Sequence, residues 1–259
     1  MSAIRIEAVD ALDFRLGPGG WDFARDRAAE ISAHWLKRSA ELPRLFNGRV
    51  LMLGAHEYVD RANARVLTGQ FLETDFADFL AWREFGFPAS NACNGFSMAA
   101  LRGADGAFLL GEMAPHTASA GAIYFPAGTP DRQDLDGDVV DLDASARREL
   151  FEETGVSAEQ TEIAPGWWIV HARGRVACLK PMRLRRSAEA AKAQIDVWLA
   201  ADPKAEFSRM HVIRNESDFT DRVTEFVRVF IRHVWARERG RSAVGSSLRA
   251  QRSNPSLGG

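Results

Sequence analysis

Between Asp143 and Val156 the chain reads DASARRELFEETGV, and this run constrains the fold more than any other. Glu149, Glu152 and Glu153 stand at i, i+3 and i+4, so a helix here brings their carboxylates onto adjacent parts of one face. Asp143 suits the N-cap, and Gly155 suits the left-handed residue that closes a helix. Leu150 and Phe151 are available to dock the helix, and Arg148 can bridge to Glu152 four residues on. Crowded carboxylates raise one another's pKa, and a position late in the helix sets them against its macrodipole. A hard cation such as Mg²⁺ or Mn²⁺ relieves both penalties while leaving room for water and substrate phosphates. A merely solvated helix of good helix formers would not need Arg-Glu, Glu-Glu and Gly in this order.

Around this helix the chain divides into an N-terminal mixed α+β unit over 1–92, a second unit over 93–239 and a tail over 240–259. In the first unit, 21–42 has helical spacing, with Phe23, Ala28, Ile31, Trp35 and Leu36 on one face. Residues 49–53 and 64–72 read as strands. Thr74 is placed to cap a helix carrying Phe76, Phe79, Leu80 and Trp82, which Gly86-Phe87-Pro88 ends. In the second unit, 96–101 and 108–113 flank a hairpin signal at Gly103-Ala104-Asp105-Gly106. A short strand over 122–125 runs into Pro126-Ala127-Gly128, followed by an Asp- and Gly-rich loop. A second hairpin is expected around Gly174, from 167–171 and 175–179. Helices are expected over 187–201, with Ala190, Ile195, Trp198 and Leu199 inward, and over 217–239. From Gly240 the chain turns Arg-, Ser- and Gly-rich and reads as a disordered tail.

A length of 259 residues allows one large core or two modest ones. A net charge of −2 gives no global field for nucleic acid or an anionic membrane surface. Cys93 and Cys178 form no metal or redox motif and read as reduced thiols. No apolar run approaches the roughly 20 residues that span a bilayer, and the first residues lack a signal-peptide core. A cytoplasmic protein with no membrane or nucleic-acid partner is expected.

Arg148 to Val156 resembles the second half of the Nudix box, R-E-U-x-E-E-x-G-U with U a bulky aliphatic, and every fixed position is present. Gly128, arriving off a strand, resembles the opening glycine of that box. After five intervening residues stands Asp134 where the pattern has Glu, and thirteen residues separate it from Arg148 where the pattern has seven. A six-residue insertion within 132–141 accounts for the difference, and leaves Asp134, Asp138, Asp141 and Asp143 as candidates for the outer acid. The resemblance spans roughly 94–239, with the N-terminal unit outside it.

That resemblance implies an α/β fold, the Nudix-type α/β/α sandwich, behind the small mixed N-terminal unit. It implies hydrolysis of a pyrophosphate bond in a nucleoside diphosphate linked to another moiety, of coenzyme A, nucleotide-sugar or dinucleotide type. Glu149, Glu152 and Glu153 would bind Mg²⁺ or Mn²⁺ together with a backbone carbonyl near Gly128, and Arg148 would orient the glutamates. Glu206 is a candidate base. His116, Arg173 and Trp168 are candidates on the substrate side, each with a plain alternative as a loop, turn or packing residue. Leu109-Leu110, His116 and 121–128 resemble in part the region before the box in coenzyme A-cleaving relatives, but Glu112 stands where an arginine is expected. The partner implied is a small-molecule nucleotide, with a homodimer allowed for. The alternative class is a Nudix-fold module that senses a nucleotide without cleaving it. Such modules lose helix glutamates, and this chain keeps all three.

Overall fold

The structure, a computed structural model, describes residues 3–252. Among them nine strands form a mixed sheet whose centre is the parallel pairing of Asn94–Arg102 with Arg175–Leu184. Asn94–Arg102 is buried over nearly its whole length, as a strand covered on both faces must be. Ala99 and Leu101 point to one face, where Leu142, Ala146 and Leu150 of helix Leu142–Thr154 and Ile195 and Leu199 of helix Ala188–Ala201 meet them. Met98 and Ala100 point to the other, against Phe226, Val227 and Phe230 of helix Glu225–Arg252. Helices on both faces of one sheet make the α/β/α sandwich that the sequence implies.

The hairpin around Gly106 forms, but its strands, Asn94–Arg102 and Phe108–Met113, pair only at Arg102 and Phe108. Beyond that point they part and admit the segment 123–128. Ile123 and Tyr124 pair with Glu112 and Gly111 on one side, while Ala127 and Gly128 pair with Met98 and Ser97 on the other. Pro126, lacking an N–H, sits where the segment changes partner, and its carbonyl accepts from Ala99 N at 2.9 Å. The wedge carries Ala127 and Gly128 into the middle of the sheet, beside the glutamate helix.

The N-terminal portion is stitched into this frame. Strand Arg5–Val9, which no sequence pattern anticipates, pairs antiparallel with Trp167–Ala172 at the edge of the main sheet. Strand Ala11–Leu16 then enters a second sheet of five strands, beside Ala64–Asp75, which in turn pairs with Arg49–Arg61. The box insertion completes that sheet. Leu135–Asp136 and Val139–Val140 form a small hairpin, with Val139 opposite Arg15. Phe14, Leu51, Leu53, Leu67 and Phe71 share a core with Leu101, Leu109, Leu142 and Leu150. The outer face of the second sheet is covered by Trp21, Phe23, Ile31 and Trp82.

Several local expectations are corrected. The strands near 50 and 70 run on to a tight turn at Ala62 and Asn63, both at positive φ, as a two-residue hairpin turn demands. Asp75, not Thr74, caps helix Phe76–Glu84, with Asp78 closing a capping box. Asp141, not Asp143, caps the glutamate helix by accepting from Asp143 N and Ala144 N; Asp143 instead pairs with Arg147 and Lys180. Leu36 is 72% and Trp198 44% exposed, so neither faces a core. Phe207–Ile213 is a strand on the far side of Phe108–Met113. The last helix begins at Glu225 and continues through Arg252, since no proline interrupts it before Pro255. Of the expected tail, 253–259 lie outside the described residues.

Candidate active site

Helix Leu142–Thr154 ends on Gly155 at φ 68°, in the left-handed region, and its three glutamates occupy different surroundings. Glu153 is buried, 4% exposed, and its Oε2 accepts from Ala127 N at 2.8 Å. Burial raises its carboxyl well above the usual range, and Glu149 and Glu206 add repulsion. Glu149 is pushed up to about 7, first by burial, with Glu152 and Glu206 adding to it against the pull of Arg148. Glu152 reaches solvent and accepts from Arg148 at 2.9 Å.

Arg148 organises this end of the helix. Its guanidinium contacts Glu149 at 2.9 Å, Glu152 at 2.9 Å and Asp134 at 3.0 Å. Burial opposes its charge, but Glu149 and Asp134 outweigh that and raise its pKa. Asp134 is 3% exposed and also accepts from Asp131 N at 3.0 Å. Of the four aspartates left open by the insertion, Asp134 is therefore the one beside the box arginine. Asp138 bonds Arg15, Asp141 is spent on the helix cap, and Asp143 is held by Arg147 and Lys180.

Gly128 supplies the other wall. A Cβ built there would collide with the Glu149 carboxylate, so the absent side chain is what lets Glu149 reach the strand end. Among the described residues no three His, Cys, Asp or Glu side chains already converge as a finished ion cage; Glu152 is turned to Arg148 and Glu153 to the Ala127 amide.

Glu149, Ala127 and Gly128 open onto a cavity of about 1300 Å³ lying between the main sheet and the N-terminal helices. His116 and Glu206 also line it; the cavity walls raise the Glu206 carboxyl by desolvation, against the pull of the nearby His116, although Glu206 is exposed. The structure thus brings His116 and Glu206 to the glutamate helix. It does not bring Arg173, which donates to the Gly86 carbonyl, or Trp168, which packs edge-on to His233 at 5.1 Å on the opposite face. Glu112 is a buried carboxylate held by Arg209, His211 and Arg222, which keep it below the usual range against the effect of burial. Arg83, Arg175, Tyr124 and the exposed Phe46 line the cavity too. Nothing local in the sequence marks Arg83, Tyr124 or Phe46; only the packing of the N-terminal helices over the sheet gathers them.

A scan of protein-family models gave no match, and neither did a search of curated proteins. Among solved structures, a Nudix hydrolase from M. smegmatis aligns with 15% identity and a TM-score of 0.36, covering 58% of this chain and 84% of that one. A NUDIX hydrolase from Nitrosomonas europaea aligns with 17% identity and a TM-score of 0.34, over 56% and 89% of the two chains. Shewanella oneidensis NrtR aligns with 20% identity and a TM-score of 0.27, over 45% and 57%. Superpositions this loose carry no argument about the chain's chemistry. By its glutamate helix, its wedged glycine strand and its layered sheet, the chain has a Nudix-type α/β/α fold.

Proposed function

We propose that the chain is a divalent-cation-dependent pyrophosphohydrolase that cleaves a nucleoside diphosphate linked to another moiety. The observation that carries this reading is the space left by Gly128, into which Glu149 extends beside the buried Glu153. Two neighbouring carboxylates largely held out of water, one paired with Arg148 and the other bonded to the Ala127 amide, are a costly arrangement unless a cation joins them. Their donor set is all oxygen, which suits Mg²⁺ or Mn²⁺. Glu149, Glu152 and Glu153 would hold the ion, with the Gly128 carbonyl as a further donor.

When bound, such an ion neutralises phosphate charge and polarises the phosphorus–oxygen bonds. The chain's own groups divide the remaining work. Arg148 fixes Glu149 and Glu152 relative to Asp134, and the Ala127 amide fixes Glu153. Glu206, with its raised carboxyl and its place in the cavity wall, is the group suited to take a proton from the attacking water. The His116 side chain sits close enough to tune it.

The test is hydrolysis of ADP-ribose, dinucleotides, coenzyme A and UDP-sugars with Mg²⁺ or Mn²⁺. Turnover that disappears in Glu152→Gln and Glu153→Gln supports the enzyme. Ligand binding without turnover across the panel overturns it in favour of a nucleotide-sensing module.

A further inference from the structure

The cavity carries both signs of charge. Glu149 and Glu206 line it, and so do Arg83 and Arg175. Arg83 comes from helix Phe76–Glu84 of the N-terminal portion and Arg175 from the start of a central strand. Neither has a carboxylate in ion-pair contact among the described residues. Arg83 donates to Ala118 O at 2.9 Å and to Ser119 Oγ at 3.1 Å, while its neighbour Glu84 is taken by His34 and Arg38. Arg175 makes one long hydrogen bond, 3.4 Å to Arg173 O, and lies over the Phe87 ring at 4.5 Å.

Two guanidiniums partly withdrawn from water in the lining of one cavity are unfavourable. Burial, then repulsion by Arg83, pulls Arg175 down to about 10, and burial lowers Arg83 as well. The ring beneath Arg175 offsets only part of that. Tyr124 lines the same cavity, and its phenol is raised by burial first and then by Glu153 and Glu206, with Arg83 acting the other way. Neither guanidinium is in ion-pair contact with a helix glutamate: Glu149 and Glu152 pair with Arg148, and Glu153 accepts from Ala127 N. The two arginines are therefore not partners of the carboxylates beside which the diphosphate would lie. Planar guanidiniums with free N–H groups match carboxylate and phosphate oxygens.

We propose that Arg83 and Arg175 form a second anion subsite, so that the preferred substrate carries a phosphate or carboxylate in addition to the diphosphate that is cleaved. This rests on the pyrophosphohydrolase reading for its reaction, but not for the subsite itself. It also gives the N-terminal portion a function, since Arg83 is its contribution to substrate choice.

The experiment compares kcat/KM for matched pairs with Mg²⁺: coenzyme A against its 3′-dephospho form for the phosphate, and UDP-glucuronate against UDP-glucose for the carboxylate. Wild type should prefer the anionic member of at least one pair, and Arg83→Met and Arg175→Met should each cut that preference by about 10- to 100-fold. Arg175→Lys, which keeps the charge, should restore part of it and serves if the Met variant does not fold. If wild type cleaves no member of either pair, calorimetry with inorganic phosphate in metal-free buffer decides. Binding that Arg175→Lys weakens and Arg83→Met abolishes upholds the subsite while the hydrolase reading falls. Equal kcat/KM within both pairs in wild type, a preference unmoved by the variants, or, where nothing is cleaved, no phosphate binding, overturns the subsite.

Discussion

Gly128 and Glu149 occupy one space: a side chain on the glycine would stand where the glutamate carboxylate lies. The two residues are far apart in sequence, on a strand wedged into the sheet and on the helix packed against it. Because the colliding atoms are the far end of a flexible side chain, Gly128→Ala should leave the fold intact and displace only Glu149. Activity should fall by roughly 100-fold, with a melting temperature within a few degrees of wild type. Equal loss of both would place Gly128 in the fold's stability instead.

Asp134 and Arg148 form the buried half of the same cluster. Asp134→Ala leaves the Arg148 guanidinium short of a carboxylate it contacts at 3.0 Å, and should destabilise the protein by about 2–4 kcal/mol. Chemical denaturation measures it. Asp138→Ala, which removes only an exposed partner of Arg15, should change stability by less than about 1 kcal/mol.

Deleting 135–140 would bring the run to the spacing of the motif it resembles and remove the hairpin that pairs with Ala11–Leu16. It would also remove Val140 from the core. Arg132, just before the hairpin, binds Glu73 of the second sheet and, with Arg49, holds its carboxyl down to about 2. The expected result is a melting temperature lower by about 5–10 °C and faster amide exchange in Ala11–Leu16, because an exposed strand edge replaces a paired one.

How much of the fold and site is legible in the sequence depends on the separation of the partners. The glutamate helix, its closing Gly155 and the hairpin around Gly174 are local, and periodicity alone places them. Which of the four candidate aspartates stands beside Arg148 is not local. Asp134 is distinguished from Asp138, Asp141 and Asp143 only by which of them Arg148 meets once the insertion has folded onto the N-terminal sheet. Strand Arg5–Val9 is silent for the same reason, since its partner lies more than a hundred and fifty residues away. In Phe207–Ile213 only Phe207, Met210 and Ile213 are buried, a spacing of three that hides a strand behind a helical pattern.

His171 supplies a pH dependence of folding. Burial, then Arg5 and His56, lower its pKa from 6.5 to about 4 against the pull of Glu7; its Nε2 lies 2.6 Å from the Tyr58 hydroxyl. An unfolded chain takes up this proton as pH drops through 6.5, whereas the folded protein resists until about 4. Stability should therefore decline across that window as pH falls, by about 1–2 kcal/mol after allowance for the ring's solvent contact. Urea unfolding at pH 7 and pH 4.5, wild type against His171→Gln, should show a smaller decline in the variant.

Mn²⁺ binding followed by electron paramagnetic resonance tests the glutamate helix most directly. Wild type should bind the ion at submillimolar concentrations, and Glu149→Gln and Glu153→Gln should each weaken binding by at least about tenfold while remaining folded. Wild-type protein that leaves Mn²⁺ free at millimolar concentration, or variants that bind it as wild type does, would contradict a cation held between these carboxylates.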